Sequence, residues 1–154
     1  SYLSKVFSLV DHPASGLRFL ILDCPSDSTL PSVLKVFSSH NVTDVVRVCE
    51  PTYATSTLAA AGIQVHDLPF QDGGVPSAPL IAKYMTIVNA ALTKSKPCTV
   101  AVHCIAGLGR APLMVALALI EYGMPPLDAI TYIRARRRGA FNTAQVKWID
   151  AYKP

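Results

Sequence analysis

The run Val102-His103-Cys104-Ile105-Ala106-Gly107-Leu108-Gly109-Arg110-Ala111 decides the fold of this chain. The residues before it, 98–102, form an apolar run that is typical of a strand covered on both faces. The residues after it, 111–122, have the pattern of a buried helix that stops at Gly123. A buried strand that leads through a glycine-containing loop into a buried helix indicates an α/β protein with parallel strands.

Segments with strand and helix patterns alternate on the amino-terminal side of this unit. The predicted strands are 17–22, 42–49, 63–68 and 98–102, and the predicted helices are 30–40, 55–61, 77–94, 111–122, 125–138 and 143–152. Such alternation, followed by helices, predicts a central, mostly parallel sheet flanked by helices on both faces. Because no linker or repeat interrupts the pattern, residues 1–154 are expected to form a single domain.

The composition is that of a globular protein. The 154 residues carry a formal net charge of +4, and 51% of them are hydrophobic, which excludes a disordered chain. Charged residues make up only 16%, so much of the surface is expected to be neutral or covered by a partner. No apolar run is long enough to span a bilayer, and residues 1–10 lack the apolar core of a signal peptide.

The loop between the predicted strand and helix has the composition of an anion site with a nucleophile. Glycines at 107 and 109 allow successive backbone N–H groups to converge on a tetrahedral oxyanion. The helix that starts near Arg110 adds its positive end, and the Arg110 guanidinium can hold two phosphate oxygens. In that positive field Cys104 is expected to ionise near neutral pH. The pattern therefore predicts phosphoryl transfer to the Cys104 sulfur.

A leaving oxygen needs a proton, and Asp72 is the candidate general acid. It lies in Leu68-Pro69-Phe70-Gln71-Asp72-Gly73, which follows a predicted strand and is suited to close over a site. Parallel strands end at the same sheet edge, so this loop and the Cys104 loop are expected to meet. The alternatives are that Asp72 is a solvated turn residue and that Glu50, after another strand, supplies the proton.

The segment from His103 through Arg110 resembles the phosphate loop of the cysteine-based protein tyrosine phosphatases, in their small dual-specificity branch. The order of the two elements, with the acid before the nucleophile, matches that branch. Cys104 to Pro112, Val46 to Glu50 and Arg137 to Asn142 are similar, more specifically, to the phosphatases of regenerating liver, the prenylated type IVA tyrosine phosphatases. The similarity extends from about Leu17 to the end of the chain.

This resemblance implies a fold, an activity and a set of site residues. The implied fold is the single-domain tyrosine phosphatase fold, and the implied activity is hydrolysis of phosphotyrosine-type monoesters through a phosphocysteine intermediate. Cys104 matches the family's nucleophile, Arg110 its phosphate-binding arginine and Asp72 its general acid. The loop amides that match those binding the phosphate belong to Ile105, Ala106, Gly107, Leu108 and Gly109.

One position predicts slow turnover. Most relatives in the wider superfamily have Ser or Thr after the arginine, whereas this chain has Ala111. A hydroxyl there can stabilise the departing thiolate of Cys104, and alanine cannot. The loss of a hydrogen bond to a charged group costs about 1.5–3 kcal/mol, so the second step is expected to be roughly ten- to a hundredfold slower.

The four cysteines are scattered and have no paired Cys-x-x-Cys spacing, which favours a reduced, intracellular setting. In the resembled family the cysteine that matches Cys49 forms a reversible disulfide with the nucleophile, here Cys104; the alternative is that Cys49 is an ordinary core residue. Cys24 and Cys98 are expected to be inert. The four histidines also lack ligand-like spacing, so neither a metal nor a cofactor is predicted.

Arginines at 134, 136, 137 and 138 form a basic cluster. It is interpreted first as a solvated helix end, then as a surface for an anionic substrate or a membrane, and last as a nucleic-acid site, because no aromatic residues interleave with it. Nucleic acid is therefore not a predicted partner. The predicted substrates are phosphotyrosine proteins, with phosphoinositides as a further candidate because of the basic surface.

The resemblance also implies a second role, that of a binding module. Members of the family resemble pseudo-phosphatases when they bind cyclin M magnesium transporters through the catalytic pocket, and Arg138 is a candidate contact. Family members end in a prenylated Cys-a-a-X box, whereas this chain ends at Tyr152-Lys153-Pro154. An intracellular protein is expected, on the cytoplasmic face of the plasma membrane or endosomes if the full-length chain is prenylated. A homo-oligomer is a further possibility.

Overall fold

The structure is a computed structural model that describes residues 6–94 and 96–154. Its strands are β1 (Phe7–His12), β2 (Leu17–Leu22), β3 (Val42–Arg47), β4 (Gln64–Asp67) and β5 (Thr99–His103). Its helices are α1 (Leu30–Ser39), α2 (Ser56–Ala60), α3 (Ala78–Leu92), α4 (Arg110–Glu121), α5 (Pro126–Arg136) and α6 (Thr143–Ala151). The predicted elements are confirmed, with ends that differ by a residue or two.

The strands form one mixed sheet in the order β1-β2-β5-β3-β4. Strands β2, β5, β3 and β4 are parallel, which confirms the predicted, mostly parallel sheet. Strand β1 pairs antiparallel with β2, from Phe7 opposite Leu22 to His12 opposite Leu17. The sequence did not predict β1, because its buried positions include Ser8 as well as Val10 and so do not form an apolar face.

Helices cover both faces of the sheet, as predicted. On one face α3, α4, α5 and α6 contribute to the larger core, and every residue of α4 except its last is buried. On the other face α1 and α2 pack through side chains such as Phe37 and Leu58 into a second, smaller core. Among the residues that the structure describes, no helix is long and apolar enough to cross a membrane.

The carboxyl ends of three neighbouring strands lie level with one another. His103, the last residue of the central strand β5, is in register with Leu22 of β2 on one side and with Arg47 of β3 on the other. The chain segments that follow these strands therefore leave the sheet at the same edge, the position where parallel α/β folds build their binding sites.

An ion pair between a buried arginine and an exposed aspartate fixes the adjoining β3–β4 end. Arg47 donates from Nε and Nη2 to the two carboxylate oxygens of Asp67 (2.6 and 2.9 Å), and from Nη1 to the carbonyl of Tyr53 (2.7 Å). The hydrogen bonds from Arg47 lower the pKa of the Asp67 carboxyl. Asp67 thus ends its strand in an ion pair that links β3 and β4.

Candidate active site

The loop between β5 and α4 is held from outside through its carbonyl groups. Four consecutive carbonyl oxygens each accept a hydrogen bond from a group beyond the loop. The pairs are Cys24 N to Ile105 O (3.0 Å), Arg137 Nη2 to Ala106 O (3.2 Å), Arg137 Nε to Gly107 O (3.0 Å) and Phe141 N to Leu108 O (2.7 Å). The loop conformation is therefore specified by the residues that follow β2 and α5 and by the segment before α6.

These four bonds determine where the loop amides point. In a trans peptide the carbonyl and the following N–H lie on opposite sides, and no cis bond occurs in the described residues. Carbonyls turned outward at residues 105–108 therefore turn the N–H groups of Ala106, Gly107, Leu108 and Gly109 toward the inside. Converging amides at the amino terminus of α4 form a concave site with positive potential, suited to a tetrahedral anion.

Gly107 is required by the closeness of Arg137. Its backbone has φ +69°, in the left-handed region that favours glycine. A side chain at this position would collide with the guanidinium of Arg137 and lie 3.0 Å from the carbonyl oxygen of Leu22. The glycine in the sequence motif therefore serves the close approach of a buried arginine as well as the turn.

Arg137 is the main support of the loop, and the sequence interpretation missed it. It is buried, and besides its two loop carbonyls it donates to the carbonyl of Val6 (2.9 Å), the hydroxyl of Ser8 (3.2 Å) and the carboxylate of Asp23 (2.6 Å). The interpretation of the whole basic cluster as a solvated helix end is wrong for this residue. The sequence feature that could have indicated a special role for Arg137 is its position at the end of a helix, just before the turn at Gly139 and Ala140.

Arg110 opens α4 and is buried despite its charge. Its Nη1 donates to the carbonyl of Phe70 (3.1 Å), while its Nε makes no hydrogen bond to any described residue. The nearest acidic oxygen, Oδ1 of Asp72, lies 3.7 Å from that Nε, which is too long for a hydrogen bond. Among the described residues, this buried guanidinium thus keeps an N–H that can donate to an anion.

Asp72 lies beside the Cys104 loop, as the topology predicted. Its side chain is 89% exposed, on a tight turn in which the N–H of Gly74 donates to the carbonyl of Gln71 (2.9 Å). Gly73 has φ +72° within this turn. An exposed carboxyl 3.7 Å from Arg110 is placed to exchange protons with a ligand and with water.

The amino terminus of α6 connects the two loops. Asn142 and Gln145 form a capping box, and each also donates to the acid-bearing loop: Asn142 Nδ2 to Gly73 O (3.3 Å) and Gln145 Nε2 to Gly74 O (3.2 Å). The amide of Gln145 also faces Gly109, where a Cβ would lie 3.3 Å away. The sequence interpretation did not single out Gln145, although a capping-box pattern was present to find it.

Cys104 is 3% exposed, at the base of the loop and directly after His103. His103 is fully buried; its Nε2 lies 2.7 Å from the Tyr53 hydroxyl and its Nδ1 lies 3.4 Å from the Cys104 carbonyl oxygen. Burial lowers the pKa of His103 to about 4, so the imidazole is neutral at physiological pH. These contacts fix His103 at the start of the loop.

Three other predicted positions have clear surroundings. Cys49 is buried with its sulfur 3.9 Å from His103 Nδ1, and desolvation raises the pKa of its thiol to about 12. Ala111 is fully buried as the second residue of α4 and offers no hydroxyl. Glu50, the alternative acid, is exposed directly after Cys49.

Arg138 is exposed, in contrast with its neighbour Arg137. It lines a shallow cavity together with Ala106 and Leu108 of the Cys104 loop. A larger cavity lies elsewhere, between Asn41, Ile63 and Lys96, and none of the loop residues line it. The candidate site is thus defined by the loop amides, Arg110 and Asp72, and not by that cavity.

A sheet of this order, with a cysteine loop before a buried helix and an acid loop beside it, defines a dual-specificity type of protein tyrosine phosphatase. A family model described as "Tc-R-P: Polymorphic toxin system, DSP-PTPase phosphatase" matches residues 24–124.

Comparison with known proteins defines the family of this chain within that class of phosphatases. The chain is 47% identical over 153 residues to the probable protein tyrosine phosphatase type IVA A of Dictyostelium discoideum, covering 99% of this chain and 91% of the relative. It is 45% identical to the human protein tyrosine phosphatase type IVA 3, over 90% of this chain and 80% of that one. A solved putative tyrosine phosphatase from Leishmania major superposes with a TM-score of 0.85 at 42% identity, covering 96% and 99% of the two chains. The chain belongs to the type IVA protein tyrosine phosphatases.

Proposed function

We propose that the chain hydrolyses phosphotyrosine-type monoesters through a phosphocysteine intermediate on Cys104. The observation that carries the proposal is the loop of residues 105–108, whose carbonyls are all tied outward so that its amides converge above the buried cysteine. An anion site of this kind stabilises the negative charge of a phosphoryl group in the transition state. Membership of a phosphatase family supports the same reaction.

The proposed reaction has two steps. The Cys104 thiolate attacks phosphorus, the ester P–O bond breaks, and Asp72 gives its proton to the leaving oxygen. A water then attacks the phosphocysteine, passing a proton to Asp72 as the P–S bond breaks and the thiolate returns. Arg110 and the amides of residues 105–109 hold the three phosphoryl oxygens in both steps. Without a hydroxyl at Ala111 the returning thiolate is less stabilised, so the second step limits turnover.

The rim of the site favours an aromatic phosphate ester on a protein. Three of the large apolar side chains exposed in the structure, Val75, Ile105 and Leu108, belong to the acid loop and the cysteine loop. Apolar side chains around a polar cradle would contact the ring and neighbouring residues of a phosphotyrosine peptide. The exposed Arg138 would also attract acidic sequences, and phosphoinositides are a second candidate substrate for the same reason.

The test is hydrolysis of an aryl phosphate and of a phosphotyrosine peptide under reducing conditions. Cys104→Ser is expected to abolish turnover, and Asp72→Asn to slow release of the phenol by about 10²–10⁴-fold. Cys98→Ser is the matched control, because Cys98 bonds to the carbonyl of Ala91, on the far side of the fold from the loop. Turnover by the Cys104→Ser protein at the wild-type rate would reject the proposal.

We also propose that Cys49 protects the nucleophile through a Cys49–Cys104 disulfide. Cys49 follows β3 and Cys104 follows β5, two neighbouring strands whose ends are in register, which supports a close approach. Peroxide oxidises the Cys104 thiolate to a sulfenic acid, and the Cys49 thiol displaces water to form the disulfide. Mass spectrometry after mild peroxide treatment should detect the linked peptides, and their absence, with Cys104 over-oxidised, would reject this step.

A second candidate function is binding of a protein partner, such as a cyclin M magnesium transporter, through the same pocket. Its support is the exposed Arg138, which lines a cavity with Ala106 and Leu108 on the side of the loop that faces Arg137, where an acidic partner surface would contact it. Binding should survive Asp72→Ala, weaken in Arg138→Glu, and be blocked when Cys104 is phosphorylated. Binding that is indifferent to Arg138→Glu and to Cys104 phosphorylation would place the partner elsewhere.

Membrane attachment through a C-terminal lipid anchor, and assembly into a homo-oligomer, are proposed from the family resemblance alone. Fractionation of the full-length protein from cells, with and without a prenyltransferase inhibitor, tests the anchor. Sedimentation of the purified chain tests the oligomer.

A further inference from the structure

We propose that Cys24, Cys49 and His103 form a binding site for one thiophilic metal ion of the zinc class, beneath the Cys104 loop. The ligand atoms of these three residues all lie within 4.8 Å of one another. The register of the sheet brings them together, because His103 ends β5 opposite Leu22 of β2 and Arg47 of β3. Cys24 comes two positions after Leu22, and Cys49 comes two positions after Arg47.

The distances suit a tetrahedral ion. Zinc lies about 2.3 Å from thiolate sulfur and about 2.0 Å from imidazole nitrogen, which separates neighbouring ligand atoms by about 3.5–3.8 Å. The Sγ of Cys49 lies 3.9 Å from Nδ1 of His103, so small side-chain movements produce the required geometry. The spacing of the sequence gave no sign of this cluster, because its members come from three different strand ends.

A supporting hydrogen bond already orients the imidazole. The Tyr53 hydroxyl lies 2.7 Å from Nε2 of His103, and the Tyr53 backbone is fixed in turn by Arg47 through its carbonyl. In the tautomer in which Nε2 donates to the Tyr53 hydroxyl, Nδ1 would present its lone pair to a metal, and its side of the ring faces the Cys49 sulfur and the Cys104 carbonyl oxygen.

The donor set selects the class of ion. Two sulfurs and one nitrogen favour zinc, cadmium or copper(I) over magnesium and calcium, which require oxygen ligands. Cys49 and His103 are buried, whereas Cys24 is half-buried, so an ion would enter past Cys24. The hydroxyl of Thr52, 3.0 Å from the Cys24 sulfur, or a water molecule would complete the coordination. Binding releases the two thiol protons to solvent and changes no oxidation state.

A bound ion would have a direct consequence for the neighbouring site. It would tie together the chain segments that follow β2, β3 and β5, directly behind the Cys104 loop. It would also engage the sulfur of Cys49 and withhold it from disulfide formation with Cys104. The site itself does not depend on the proposed phosphatase activity, because none of its three ligands takes part in the two chemical steps.

Cadmium titration of the reduced full chain tests the site, with Cys104→Ser as the background so that the nucleophile cannot bind the probe. One equivalent of Cd²⁺ should produce a thiolate-to-cadmium absorption band in the ultraviolet. The band should disappear in Cys24→Ser and Cys49→Ser, and it should persist in the matched control Cys98→Ser. No band in the Cys104→Ser protein, or a band that survives Cys24→Ser unchanged, would overturn the proposal.

Tyr53→Phe keeps the inference testable if a cysteine variant does not fold. It retains the aromatic ring and removes only the hydroxyl that orients His103, so cadmium affinity should fall by about 10–100-fold. Affinity equal to that of the parent protein would show that His103 is not a ligand. Far-ultraviolet circular dichroism of each variant establishes that the fold is intact.

Discussion

Removal of the Arg137 side chain should disable the catalytic loop without touching a reacting atom. Arg137→Ala breaks five hydrogen bonds of 2.6–3.2 Å, two of which hold the carbonyls of Ala106 and Gly107 outward. The loop peptides are then free to rotate, and the N–H groups that follow these carbonyls no longer point toward the phosphoryl group. We therefore expect a loss in the rate of phosphorylation larger than the loss in substrate affinity.

The size of the effect follows from burial and charge. Breaking a buried ion pair by removing one partner costs about 3–5 kcal/mol. Asp23 is 47% exposed and can be rehydrated, so the expected loss of unfolding free energy is nearer about 3 kcal/mol. Misplacement of the loop by about 1 Å would slow phosphoryl transfer by about 10²-fold. Arg137→Lys retains the charge but not the five donors, and should recover part of the stability and little of the rate.

The assay pairs urea unfolding with rapid-mixing hydrolysis of an aryl phosphate. Arg136→Ala is the matched control: it removes the same charge one residue away, where the side chain is exposed and lies over the Tyr132 ring. If Arg137→Ala matches Arg136→Ala in both stability and burst rate, the argument that outward carbonyl anchoring organises the loop is wrong.

Three further predictions test individual parts of the account. Ala111→Ser should restore a hydrogen-bond donor to the departing thiolate and raise the steady-state rate by roughly ten- to a hundredfold with an unchanged burst amplitude. Equal steady-state rates in the variant and the parent protein would contradict this prediction. Gly107→Ala should lower the unfolding free energy by about 1–3 kcal/mol and abolish the burst, because the left-handed backbone and the Arg137 guanidinium leave no room for a methyl group. Urea unfolding and burst assays check this prediction, and a stable, active variant would refute the reasoning. Asp67 has a lowered pKa in the fold, so its pairing with Arg47 stabilises the protein fully above about pH 5 and is lost as the pH falls below the ordinary value of 3.8. Asp67→Asn should therefore lower stability at pH 7 and flatten the acid limb of the stability profile measured by urea unfolding, and an unaltered acid limb would show that other groups control it.

The sequence was sufficient for the four parallel strands of the sheet and for the helices that flank them. Apolar runs and their periodicity are local, so the strand of residues 17–22 and the helix of residues 30–40 agree closely with β2 and α1. The Cys104 loop and the Asp72 loop could be brought together because parallel strands end at one edge of a sheet.

What the sequence could not provide were contacts whose partners are far apart along the chain. Strand β1 was missed because Ser8 is buried there to meet Arg137, a residue 129 positions later. Arg137 was read as surface because four clustered arginines look alike until the fold buries one of them. Cys24 was expected to be inert, since only the register of β2 against β5 brings it to Cys49 and His103.

The most direct test of the central claim is a single-turnover measurement on the reduced protein. The chain is mixed rapidly with an aryl phosphate, the released phenol is followed by absorbance, and the quenched protein is analysed by mass spectrometry. The account predicts a burst near one equivalent, a phosphoryl group on Cys104, and slow release afterwards. No burst and no phosphocysteine, with Cys104 intact and reduced, would contradict it.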